Sequence, residues 1–256
     1  MPFLFQRYNN HVYTMKKITT FLAFLLLAAS IMANAKHKYR VLVFSKTKGF
    51  RHDCIPVAKS AIMKLGADNG FAVDTTEDAS VFTYNNLKKY DAVIFSCTTG
   101  DVLDDAQQEA FQKYIHNGGG FMGIHAATDT EYDWPWYGKL AGAYFTSHPK
   151  QQVATLKVVD KTHISTKHLP DDWIRKDEWY NFKDINPDIH VLIKIDESTY
   201  EGGKNGDNHP MCWYHSFEGG RSFYTEMGHT KESYADPLYL QHLLGGIQYT
   251  ANMKVK

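Results

Sequence analysis

The chain has 256 residues, with 28 Lys+Arg against 28 Asp+Glu, 43% hydrophobic and 14% aromatic residues. A formal charge of zero excludes a dedicated polyanion binder, which presents a basic stripe, so no nucleic-acid partner is expected. The length suffices for a single well-cored domain.

The charge is unevenly spread. Residues 1–35 hold Arg7, Lys16 and Lys17 and no acid, which leaves 25 basic against 28 acidic residues beyond them. Met15-Lys16-Lys17, an apolar run from Ile18 to Ala29 and then Ala33-Asn34-Ala35 have the form of a secretory signal peptide. A membrane anchor needs roughly 20 apolar residues, and this run is shorter. We read 1–35 as a signal peptide with its natural start at Met15. Residues 36–256 then form one domain of a secreted or periplasmic protein, off the membrane once the signal is cleaved. The three cysteines, Cys54, Cys97 and Cys212, are too few for a disulfide framework and show no C-x-x-C zinc spacing.

In chain order, Tyr39 to Ser45 reads as a buried parallel strand. Pro56 to Gly70 reads as a helix with Val57, Ala61, Ile62 and Leu65 on its apolar face. Strands follow at Phe71–Thr76 and Asp91–Ser96. Asp104 then caps a helix to Asn117 with Ala110, Phe111, Tyr114 and Ile115 inward. Gly118-Gly119-Gly120 ends that helix and starts the strand Phe121–His125. Alternating strands at 153–160 and 190–196 are of the antiparallel or edge kind. Met211–Phe217 and Arg221–Thr225 flank Glu218-Gly219-Gly220 as a hairpin, and Asp236-Pro237 opens a last helix. The expected fold is α/β: a mainly parallel sheet between helical layers, with antiparallel additions in the C-terminal half.

Ligands in such sheets bind beyond the carboxyl ends of the strands. Three polar strand ends qualify: Lys46 to Asp53, with Arg51 and His52; Cys97 to Asp101, with Thr98; and His125 to Asp129. His125 stands where hydrolases and amidotransferases of this architecture carry Ser or Cys, so covalent acyl chemistry lacks its nucleophile here. Cys97 has no G-x-C-x-G context.

Several segments together resemble the ThuA-like (trehalose-utilisation) family. They are Lys48-Gly49-Phe50-Arg51-His52, the run from Gly118 to Ala127, Ser147-His148-Pro149, Asp177-Glu178-Trp179-Tyr180, the run from His209 to Tyr214, and the run from Gly220 to His229. The resemblance implies a flavodoxin-like, class I glutamine amidotransferase-like three-layer sandwich without the Cys nucleophile. It also implies a place in the use of trehalose-like disaccharides through 3-keto-sugars; exported members are often labelled glycosyl hydrolases.

Of the 13 His, twelve follow residue 35, and His52, His125, His148, His215 and His229 fall in or near the matching segments. Imidazoles with a carboxylate such as Glu178 suit a divalent cation, zinc or similar, and His125, His148 and His229 are the candidate ligands. No H-E-x-x-H spacing exists, so the fold must assemble any metal site. Trp134, Trp136, Trp179 and Trp213, with Arg51 and Thr98, are candidate sugar contacts. A nicotinamide or flavin cofactor is not expected, because the first strand turn lacks G-x-G-x-x-G.

The leading expectation is an enzyme acting on a sugar or keto-sugar, with His125 as base, His52 or Glu178 as proton partner and Arg51 stabilising negative charge. Two other readings stay open: a two-carboxylate glycosidase using Asp177/Glu178 and Asp129/Glu131, and a non-catalytic sugar-binding or partner subunit. Homo-oligomerisation is left open.

Overall fold

The structure, a computed structural model, describes residues 37–254. The signal peptide read at 1–35 lies outside the described residues. From Tyr39 onward the described residues make up one compact unit, and no helix among the described residues is long and apolar enough to cross a membrane.

The first half alternates strand and helix: β1 (Arg40–Phe44), α1 (Ile55–Asn69), β2 (Ala72–Thr76), α2 (Tyr84–Leu87), β3 (Ala92–Ser96), α3 (Asp105–His116) and β4 (Gly120–Ile124). The short helix α4 (Pro135–Ala141) leads into strands β5 (Tyr144–Ser147), β6 (Gln152–Val158), β7 (Asp172–Asp177), β8 (Asn181–Lys183), β9 (His190–Ile195), β10 (Pro210–Phe217) and β11 (Gly220–Thr225). Helix α5 (Pro237–Thr250) closes the chain. Nine strands form one sheet in the order β2-β1-β3-β4-β11-β10-β9-β6-β7, while β5 and β8 pair separately. The pairs from β2 to β11 are parallel, and those from β11 to β7 antiparallel.

Helices cover both faces because the central strands are apolar on both. On β4, Phe121 packs edge-on against Phe111 of α3 and Tyr137 of α4. Its neighbour Met122 points the other way, against Gly246 of α5. Such alternation follows from the two-residue period of a strand. Burying each of these side chains is worth about 1.5–3 kcal/mol.

The stop and start signals act as their chemistry dictates. Asp104 and Gln107 form a reciprocal capping box on α3. Glu218 and Gly219, at φ 46° and 94°, make the two-residue turn between β10 and β11; such a turn needs positive φ at both positions. On α1 Ile62 is buried and Ala61 and Leu65 pack partly buried against the core as expected, and only Val57 is corrected. Val57 lies exposed, and Ile55, Ala58, Ile62 and Gly66 face the core. The helix begins at Ile55 rather than Pro56, and the buried stripe follows Ile55.

Candidate functional site

The carboxyl ends of the parallel strands β1, β3, β4 and β11 line one edge of the sheet in that order, and β4 pairs with β11 so that Ile124 stands beside Thr225. The residues that follow are therefore His125 on one strand and Glu226 on the other. His125 is fully buried and sits at φ 51°, in the left-handed region that side chains with a Cβ avoid. Tyr224 holds this elbow by donating its hydroxyl to the His125 carbonyl at 2.7 Å.

The His125 ring is fixed from behind. Its Nδ1 donates to the Glu226 backbone carbonyl at 2.8 Å, an oxygen that can only accept. A neutral ring then carries its lone pair on Nε2. That Nε2 lies 3.1 Å from His229 Nδ1 and 3.4 Å from Glu178 Oε2, and His229 Nδ1 lies 3.0 Å from the same carboxylate oxygen. A ring nitrogen of His52 completes a group of four ligand atoms within 4.8 Å of one another. His52 is buried, and its Nδ1 has no hydrogen-bond partner. Ligands on a tetrahedral zinc with bonds of 2.0–2.1 Å stand about 3.3–3.4 Å apart. The His125, His229 and Glu178 triangle therefore matches a divalent-cation face, and a ring nitrogen of His52 supplies a further donor.

The carboxylates make this cluster favour positive charge, which His125 itself can carry. Burial opposes a positive His125, but Glu178 and Glu226 outweigh it and raise that imidazole to about 10. Burial, then the neighbouring charges of His125 and His229, holds His52 down at about 3. Burial opposes ionisation of Glu178, yet bonding to His125 and His229 holds its carboxyl well below the usual range. Burial lifts Glu226 to about 7.

Glu178 arrives from β7, the edge strand of the sheet, and Asp177 brings it there. Asp177 is fully buried and accepts from the amides of Glu178, Gly228 and His229, from Ser233 Oγ and from Arg175 Nη2. It clips the His229 loop to the end of β7. Gly228 makes that loop possible: at φ 118°, a Cβ there would run into the hydroxyls of Tyr234 and Tyr239. His148 follows β5 and lies on the rim, its side chain 43% exposed. Its Nδ1 is 3.1 Å from Glu178 Oε1 and 2.9 Å from the Pro149 carbonyl.

Among the residues expected from sequence, His52, His125, Glu178 and His229 come together. His148 is corrected from ligand to neighbour: it bonds the opposite oxygen of Glu178 and stands outside the group of four. Arg51 is corrected too, since its guanidinium forms a two-pronged pair with Glu77 at 2.7 and 3.1 Å. Thr98 is buried and bonded to Thr130. Trp179 and Trp213 are core residues with no exposed surface, their indole N–H groups donating to the Gln152 and Ala141 carbonyls. Trp134 and Trp136 stack on each other, and Trp136 donates to Glu218 in the β10–β11 turn, at the opposite end of β11 from the cluster. Cys97 is buried with its Sγ 3.6 Å from that of Cys54.

The two-carboxylate reading loses its pairs. Asp177 is saturated by donors, and the buried Glu131 accepts from the amides of Val102 and Leu103 and from Gln108. Asp177 and Glu226 were missed as positioning groups. Each stands one to three residues from a recognised ligand, which was the available signal.

A family model described as ThuA, trehalose utilisation, matches residues 40–250. A ThuA-like protein from Bacteroides uniformis is similar in structure, with 25% identity, a TM-score of 0.72, and coverage of 84% of this chain and 92% of that one. A ThuA-like protein from Parabacteroides merdae is 22% identical with a TM-score of 0.71, covering 85% and 91%. PurLQS from Thermotoga maritima shares the fold at 14% identity and a TM-score of 0.51, covering 84% and 98%. No curated protein matches the chain by sequence.

Proposed function

The chain belongs to the ThuA family, and from that premise we propose that it is an exported, divalent-metal-dependent enzyme acting on a sugar, with a keto-glycoside of a trehalose-like disaccharide as substrate. The observation that carries this reading is the triangle of His125 Nε2, His229 Nδ1 and Glu178 Oε2, with separations of 3.0–3.4 Å. These residues and His52 would hold the cation. When bound, it would supply Lewis acidity toward a carbonyl or hydroxyl oxygen.

The protein's own groups divide the remaining work. Glu226 fixes the His125 tautomer through its backbone carbonyl. Asp177 sets the position of His229. His125 is enclosed by its partners and has no exposed surface, so the role of base passes to His148. Both partners of His148 Nδ1 are oxygens that accept, Glu178 Oε1 and the Pro149 carbonyl. Its Nδ1 therefore carries the proton and its Nε2 the lone pair. A carboxylate-backed imidazole on an exposed rim is arranged to take a proton from the carbon beside a ketone.

Metal analysis of the purified protein, with turnover assays on trehalose and its 3-keto derivative, tests this reading. Metal-dependent turnover, lost in His148→Ala and retained as metal content, is the expected result. Turnover that persists after complete removal of metal would refute the cation's role. Sugar binding without turnover would favour a non-catalytic binding subunit.

A further inference from the structure

The tryptophans do not face the cluster, but one aromatic beside it is displayed to solvent. Phe50 is 66% exposed, on a loop that is firmly held. The Lys48 amide donates to the Thr99 carbonyl at 2.8 Å, and the Gly49 amide to the Thr99 hydroxyl at 3.2 Å. That hydroxyl in turn donates to the Phe50 carbonyl at 2.9 Å. The backbone is thus fixed to the end of β3 while the ring stands out. Exposing a Phe forgoes burial worth about 1.5–3 kcal/mol, so a pinned, exposed ring next to the His cluster is available to an apolar face of a ligand.

Its surroundings define that occupant. The Phe50 ring stands edge-on to His52 at 4.9 Å. From there the rings continue through His52–His125 at 4.9 Å, His125–Tyr180 at 4.4 Å and Tyr180–Phe145 at 4.1 Å. His148 stacks on Tyr180 at 5.9 Å. A chain of ring contacts therefore links the exposed Phe50 at one end to the half-exposed His148 at the other, through the buried His52, His125 and Tyr180.

We propose, building on the carbohydrate reading of the cluster, that Phe50 is the stacking platform for the hexopyranose ring of the substrate. An exposed apolar ring, with the half-exposed His148 imidazole and its Glu178 partner at the other end of the ring chain, fits a ligand with one C–H face and a polar edge. The class selected is a pyranoside with equatorial hydroxyls, whose axial hydrogens form an unbroken C–H face. Stacked on Phe50, it turns its hydroxyl or keto edge toward Glu178 and His148.

Calorimetric titration of trehalose, its 3-keto derivative and methyl glucoside into zinc-loaded protein tests this, using wild type, Phe50→Ala and Phe50→Trp. Phe50→Ala is expected to weaken binding about tenfold, while Phe50→Trp retains it, with zinc content and mass in solution unchanged in both. Equal binding by wild type and Phe50→Ala would overturn the platform and leave the proposed function intact. Zinc-loaded wild type that binds none of these sugars would overturn the carbohydrate reading itself. Loss of zinc in Phe50→Ala, or conversion of a dimer to a monomer, would assign the ring to loop support or to self-association instead.

Discussion

Two buried glutamates, Glu131 and Glu178, show how one side chain serves opposite ends. Glu131 closes its loop on two backbone amides and a Gln amide, at 2.7–2.8 Å. Those donors cannot change protonation or leave for another partner. Glu178 meets only imidazoles, from His125, His148 and His229, each of which can yield its place to a cation. A carboxylate answered by main chain holds structure, whereas one answered by titratable nitrogens is available for chemistry.

This contrast can be broken or sharpened by mutation. The largest effect is expected at the cluster: His125→Ala or Glu178→Gln should lower turnover by about 10²–10⁴-fold and strip bound metal, measured by steady-state kinetics and elemental analysis. Both variants should keep a melting temperature close to that of the metal-free wild type. Asp177→Ala comes next. It leaves the Gly228 and His229 amides and Arg175 without their acceptor, so stability should fall by about 3–5 kcal/mol in urea melts. Metal affinity should fall by about 10–100-fold in the same variant.

Glu131→Ala should cost about 3 kcal/mol through the stranded Val102 and Leu103 amides while metal content stays at the wild-type level. If it also emptied the metal site, the division between the two glutamates would be wrong. The smallest effect concerns Glu77, whose carboxyl is held down at about 2 by its bond to Arg51, with Lys59 assisting against partial burial. Its folded pKa is depressed, so its contribution is complete above the ordinary carboxylate range and is lost as pH falls from about 4.5 through 2. The pair is part-exposed, which limits this to about 1 kcal/mol or less. Melts of wild type and Glu77→Gln should therefore differ at pH 6 and converge near pH 2.

The parallel half was legible because each signal was local. β1, β3 and β4 are short apolar runs, and Asp104 and Gly118 mark ends with their own chemistry. Strands β5, β7 and β8 were not read, since three to six residues of mixed polarity carry no distinct period and are fixed by their partners. The same limit divides the site. His125 followed from its strand and His52 from its loop, but the part played by Asp177 depends on amides 51 and 52 residues away. Trp179 and Trp213 misled because a large indole serves a core as readily as a ligand surface, and their burial, which no local pattern announces, separates the two uses.

The curl of the antiparallel strands also has a bearing on folding. In hydrogen-bond order β7 is the far edge of the sheet, four places from β11, yet Asp177 binds the loop that leaves β11. That closure spans no ladder. It forms only when β10, β9 and β6 have bent the edge back over the strand ends, and contacts this distant in sequence are slow to find. A partly folded chain can therefore possess every strand of its parallel half and still lack the cluster, which assembles with the last docking event rather than with the first.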